Sequence, residues 1–259
     1  MTQTEWENEM CIKILDLIEN ELYIDFRYLD VAISTLILTP KESLRSTATD
    51  GISLFFPPEQ ILRVFRSNPL FLNRAVLHSV FHCIFRHLWI RGNRDSDLWN
   101  LSCDIAVEWI IDSFDKKSVK RALSGIRTNI YNDFEKQNIP VTAANIYHYL
   151  LSDVTENPDR LNQLTMEFFT DDHRFWPKDP SRSPSAAKAG QSWDKISRRM
   201  EQELNLRGDH TASGAEAIKA QIKEGKSRRS YKDFLRKFTV LQEELHCDYD
   251  EFDLNYYSY

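Results

Sequence analysis

Glycine and proline are scarce: the 259-residue chain has 7 Gly and 9 Pro. A β-sandwich needs these residues at its many tight turns, so their shortage argues against that class and favours long helices. Cysteine is also sparse. Cys11, Cys83, Cys103 and Cys247 form no CxxC pair, and Cys83 and Cys103 lie in apolar stretches where they read as reduced core residues. No apolar run approaches the roughly 20 residues of a membrane-spanning helix. The start, "MTQTEWENEM", is polar and acidic, unlike a signal peptide, so a cytoplasmic chain with no membrane partner is the simplest expectation. Positive charge is not in excess: the net charge of −6 gives no general affinity for nucleic acid.

What the chain does have is apolar mass. With 42% hydrophobic and 12% aromatic residues it can bury a substantial core. Residues 5–22 carry Met10, Ile12, Ile14, Leu15, Leu17 and Ile18 in a helical pattern, and a second helix is expected from Phe26 to Leu38, ending before Pro40. Asp50-Gly51 is a turn signal. The short run Ile52 to Phe56 then predicts a strand at a sheet edge, where the two prolines that follow would be tolerated. A short helix over Glu59 to Phe65, a long one from Leu70 to Trp89 and a buried one from Trp99 to Ile111 follow, and Thr142 is placed to cap a helix through Leu151. Beyond Trp176 the composition changes. The Pro/Ser/Ala stretch at 177–190 predicts a linker, dividing a domain over 1–176 from a helical extension over 177–259. Helical pattern continues at Trp193, Ile196, Met200 and Leu204, and again in "YKDFLRKF". Residues 181–240 hold 14 Lys or Arg against 7 Asp or Glu. The positives alternate with acids and aromatics are few, which favours a solvated helical face over a nucleic-acid surface.

The chemistry concentrates in "RAVLHSVFHCIFRHLW", Arg74 to Trp89. His78 and His82, four apart, lie about 40° from one another around a helix, so both imidazoles can reach one ion. The same spacing also suits buried histidines bonded to backbone or acids. His87 lies about 180° from His78 on a regular helix and is expected to pack elsewhere. Zinc needs a further protein ligand from a neighbouring element. Asp104 and Glu108, four apart on the apolar "WNLSCDIAVEWII", are candidates, because a carboxylate in such surroundings is costly unless it is paired or binds metal. Ion pairs with Arg86, Arg91 or Arg94 are the competing reading. His173 in "DDHRFW" is an alternative ligand, with aspartates and aromatics around it that suggest a fixed site.

Taken together, "TDGISLFF", "LHSVFHCIFRHLW" and "RDSDLWNLSCDIAVEW" resemble the metallopeptidase-like domain found N-terminal to von Willebrand factor A-like domains in bacterial proteins. That family carries HExxHxxxxH on one helix and, about twenty residues on, an Asp-bearing helix introduced by a WN pair. The likeness implies a zincin-like core, α+β and predominantly α-helical, with a small sheet. It implies zinc held by His78, His82 and Asp104, with His87 at the third helix histidine. It also implies a partner such as an AAA ATPase or an A-like domain, and "DYDEFDLNYYSY" shows no sign of the latter's Ser-rich metal loop. The sequence departs from the family at Ser79, where the family has its catalytic glutamate. Serine cannot carry a proton near neutral pH, and losing a general base costs roughly a hundred- to ten-thousand-fold in rate. Glu108 is the candidate substitute base, with Glu59 more remote. The expectation is therefore a zinc-binding, catalytically impaired module, a pseudoenzyme with a binding or scaffold role. An active zinc peptidase using a displaced carboxylate and a metal-free interaction domain are the alternatives.

Overall fold

The structure is a computed structural model and describes residues 2–206 and 214–227. The fold is α+β and predominantly helical, with one four-stranded sheet. Helix α1 (Gln3–Asp25) opens on a capping box: the Thr2 hydroxyl accepts from the Glu5 N–H, and the Glu5 carboxylate accepts from the Thr2 N–H. It buries Cys11, Ile14, Leu15, Ile18 and Leu22, a stripe at three- and four-residue spacing.

The expected helix over 26–38 is not continuous. A 3₁₀ turn (Arg27–Leu29) and a single helical turn, α2 (Asp30–Ile33), give way to strand β1 (Ile37–Pro40). Pairing with a neighbour decides the conformation here: β1 runs parallel to β3 (Ser53–Phe56), with Ile37 opposite Ser53 and Pro40 opposite Phe56. Strand β2 (Thr47–Thr49) pairs antiparallel to β3 on its other side. The strand expected at the edge is therefore an interior one. Its prolines do no harm because they fall after the last paired residue, and Pro58 opens helix α3 (Pro58–Ser67), where its missing N–H costs nothing. Between β2 and β3 the chain reverses at Gly51, whose φ of 85° suits glycine.

Helix α4 (Leu70–Ile84) runs through the middle, packed by α1, α3, β2, α6 (Ser96–Ser113) and α10 (Pro184–Leu206). Being covered on all sides explains why it is apolar around its whole circumference. It ends five residues before the expected Trp89. Arg86 takes a left-handed conformation (φ 63°, ψ 27°), and one more turn, α5 (His87–Ile90), leaves in a new direction. The Asp95 side chain caps α6 by accepting from the Leu98 N–H at 2.9 Å.

Helices α7 (Gly125–Gln137), α8 (Ala143–Glu156) and α9 (Pro158–Phe168) form a second apolar cluster on the other face of α6, around Trp99, Ile105, Ile146 and Phe168. The Thr142 hydroxyl accepts from the Asn145 N–H at the start of α8. After α9 the two-residue strand β4 (Asp171–Asp172) joins the sheet beside β2, completing the order β1-β3-β2-β4.

The domain boundary expected at Trp176 falls inside one compact unit that runs to Gly225. Residues 184–190 of the expected linker form about the first two turns of α10. Its Trp193, Met200 and Leu204 are buried in the same core as α4, and Trp193 donates its indole N–H to the Gly51 carbonyl at 2.7 Å. Helix α11 (Ala215–Ser227) adds Ile218 and Ile222 to that core. The "YKDFLRKF" helix and the "DYDEFDLNYYSY" tail lie outside the described residues.

Candidate metal centre

Helix α4 delivers His78 and His82 to its face toward α6, where Asp104 meets them. A third element completes the group. β4 supplies Asp171, and the 3₁₀ turn that follows it (His173–Phe175) supplies His173. One ligand atom from each of these five residues lies within 4.8 Å of every other. The His78 and His82 Nε2 atoms are 2.8 Å apart, and the Asp104 Oδ1 lies 3.3 Å and 3.2 Å from them. The His173 Nε2 is 3.1 Å from that Asp104 oxygen and 2.9 Å from the Asp171 Oδ1. The Asp171 Oδ1 is 3.5 Å and 3.8 Å from the Nε2 atoms of His78 and His82.

These separations suit a small divalent ion. Metal–nitrogen bonds of about 2.0–2.1 Å place ligands about 2.9 Å apart at right angles and about 3.4 Å apart at the tetrahedral angle. Hydrogen bonding also points to a shared target. The Asp171 Oδ1 and the His173 Nε2 are buried without a hydrogen-bond partner among the described residues, although they lie within ion-pair distance of each other. Buried polar atoms are rarely left so, and these two aim at the centre of the group. Three imidazoles and two carboxylates form a borderline donor set that suits zinc and its first-row neighbours.

Three of the ligands, His78, His82 and Asp171, are oriented from behind. The His78 Nδ1 lies 2.9 Å from the Glu108 Oε1, which fixes the tautomer that leaves Nε2 free for an ion. Glu108 in turn accepts from Arg74 at 2.5 Å and Arg127 at 2.6 Å, and both guanidiniums reach Asp112. Glu108 thus faces away from the ligand cluster, wholly buried, and pairs with Arg74 and Arg127 where Arg86, Arg91 or Arg94 had been expected. The His82 Nδ1 lies 3.0 Å from the His87 Nδ1. On an unbroken helix His87 would point away, and the reversal at Arg86 brings it back. Ser79 donates from its hydroxyl to the Asp171 Oδ2 at 3.1 Å. Glu59 is exposed in the first turn of α3 and is not among the five clustered residues.

The protonation pattern follows from these contacts. Burial pushes the His78 pKa down, but Asp171, Asp104 and Glu108 overcome it and hold the pKa well above the ordinary value. Burial opposes His173 too, and Asp104 and Asp171 raise it to about 10. Burial and then the charge on His78 lower His82 to about 4, and burial with His82 holds His87 well below its usual range. Against the cost of burial, His173, His78 and His82 keep Asp104 and Asp171 ionised. Protons on His78 and His173 thus balance two buried carboxylates, the charge a divalent cation would supply.

A cleft of about 840 Å³ opens onto one side of the cluster, lined by Asp104, Asp171 and His173 with Arg91, Asn100 and Trp176 among its walls. The structure brings four of the sequence candidates together, His78, His82, Asp104 and His173, and adds Asp171 and the supporting His87. Among the described residues no helix is long and apolar enough to cross a membrane. No family model, curated protein or solved structure matches this chain.

Proposed function

We propose that this chain is a metal-binding module on a metallopeptidase-like pattern, that its site takes one zinc ion in a shell of protein ligands, and that it serves as a binding or scaffold part of a larger assembly. The observation that carries this reading is the convergence of five ligand atoms from four buried residues and the half-buried His173, two of the atoms lacking a hydrogen-bond partner among the described residues. When bound, zinc would supply Lewis acidity and a cross-link between α4, α6 and the 171–173 segment.

Peptide hydrolysis needs an open position on the metal and a free carboxylate within reach. Ser79 is committed to Asp171, and Glu108 is committed to His78 and two guanidiniums. Both features favour an impaired site with a structural ion. The resemblance alone supports an AAA ATPase or an A-like domain as the partner. A second reading, a zinc-dependent hydrolase using a displaced carboxylate, draws support from the cleft that reaches three of the ligands.

Elemental analysis of protein purified without added metal tests the first reading. One equivalent of zinc is expected, falling to a small fraction in His82→Ala. Zinc content that His82→Ala leaves unchanged would overturn it. Turnover of a mixed peptide library by the zinc-loaded protein, abolished by His82→Ala, would favour the hydrolase instead.

A further inference from the structure

We propose that Ser79 is a positioning residue for the metal centre, and that its hydroxyl makes Asp171 a ligand. The inference rests on the metal-binding reading above. Ser79 is fully buried on α4, next in sequence to His78, so the helix that supplies two ligands also anchors a third. Its Oγ donates to the Asp171 Oδ2 at 3.1 Å, which commits one carboxylate oxygen and turns the other, Oδ1, toward the imidazoles. That second oxygen has no hydrogen-bond partner among the described residues, yet lies 2.9 Å, 3.5 Å and 3.8 Å from the Nε2 atoms of His173, His78 and His82. Asp171 belongs to a two-residue strand held by its pairing with β2, so its backbone alone constrains the side chain weakly. Outer hydrogen bonds of this kind are what fix the orientation of a ligating carboxylate.

The same geometry makes glutamate a poor fit at position 79. A glutamate at position 79 would carry its charge into the space beside the Asp171 carboxylate, with both groups buried. Two carboxylates in such contact cannot both stay ionised cheaply. Glutamate at 79 and an aspartate ligand at 171 are therefore alternatives. Ser79→Glu is expected to displace Asp171 and weaken ion binding without producing a peptidase.

The test uses Co²⁺ as a spectroscopic stand-in, added to the full-length metal-stripped protein, with affinity measured by chelator competition. Ser79→Ala is expected to keep the far-UV circular dichroism and the cooperative melt of the stripped protein, at a melting temperature lowered by the loss of one buried hydrogen bond, to bind Co²⁺ about 10–100-fold more weakly, and to change its visible d–d spectrum. Asp171→Asn is expected to give a similar spectrum, and the double variant to bind no more weakly than Asp171→Asn alone, because both changes remove one ligand. Parent-like affinity and spectrum in Ser79→Ala, or additive losses in the double variant, would overturn the inference and leave the metal-binding reading intact. A parent that binds no Co²⁺ would end both. Ser79→Glu that holds the ion as tightly as the parent and hydrolyses peptides would also overturn the positioning role.

Discussion

At the residue scale, the two oxygens of Asp171 and the two nitrogens of His78 divide their work in the same way. One atom of each is held from behind and the other faces the centre of the cluster. This division is invisible in the sequence. The HxxxH spacing shows which side chains share a helix face, because periodicity fixes direction around one axis. It carries no information about Asp171, 92 positions beyond Ser79, which reaches the site only through strand pairing. The aspartates of "DDHRFW" were a weak signal, since acids beside a histidine are common in loops. Glu108 was legible as a carboxylate needing a partner, but its partners, Arg74 and Arg127, lie on other elements. A separate carboxylate gives a pH-dependent prediction. Burial, and then Asp16, raise Glu19 to about 7 from 4.5. Between these values the folded state holds more protons than the unfolded one, so this residue's contribution makes stability fall as pH rises from about 4.5 to 7. Glu19→Gln should therefore melt above the parent at pH 8 and close to it at pH 4.5, in paired thermal scans. A difference of equal size at both values would refute the assignment.

At the scale of elements, the break after α4 shapes the site more than any strand does. A regular helix through Trp89 is what the apolar run predicts, and nothing in "HCIFRHLW" marks a stop, because the residue that reverses the chain is arginine where glycine would be usual. The reversal is imposed by packing on both sides. Phe85 and Leu88 are buried, and the Trp89 indole donates to the Ala186 carbonyl of α10. The left-handed conformation of Arg86 costs about 1 kcal/mol relative to glycine, and more for a β-branched side chain. Arg86→Gly and Arg86→Val both remove the guanidinium, so their difference isolates the backbone. Arg86→Val is expected to unfold at least about 1 kcal/mol more easily than Arg86→Gly in urea, and to bind zinc more weakly, because His87 would drift from the His82 Nδ1. Equal stability and equal affinity in the two variants would show that the reversal does not support the site. The β1 segment teaches a related lesson. Local periodicity there favours helix, and the register with β3 overrides it.

At the scale of the whole molecule, composition was a poor guide to where the domain ends. The Pro/Ser/Ala stretch after Trp176 has the look of a linker, and the charge balance shifts beyond it, yet α10 presents one face to solvent and the other to α4. A surface helix of this kind must be polar on average, so composition averaged over both faces hides the buried stripe of Trp193, Met200 and Leu204. The stripe touches the elements that hold the site. Trp193 bonds to Gly51 in the β2–β3 turn, and Ser197 donates to the carbonyl of Ile84 at the end of α4. Removing α10 would therefore expose the core beside the histidine helix as well as shorten the chain. Burying a large aromatic side chain contributes about 3–5 kcal/mol, comparable to much of a domain's net stability. A fragment ending at Trp176 is expected to lack a cooperative melt and to bind zinc with no defined stoichiometry, while one ending at Ser227 should melt cooperatively and bind one equivalent. If the shorter fragment melts cooperatively with one zinc bound, α10 is an appendage and the expected boundary at 176 is the true one. If both fragments behave as expected here, the metal centre depends on a helix that shares none of its ligands, because the helix carrying two of them is held in place by α10.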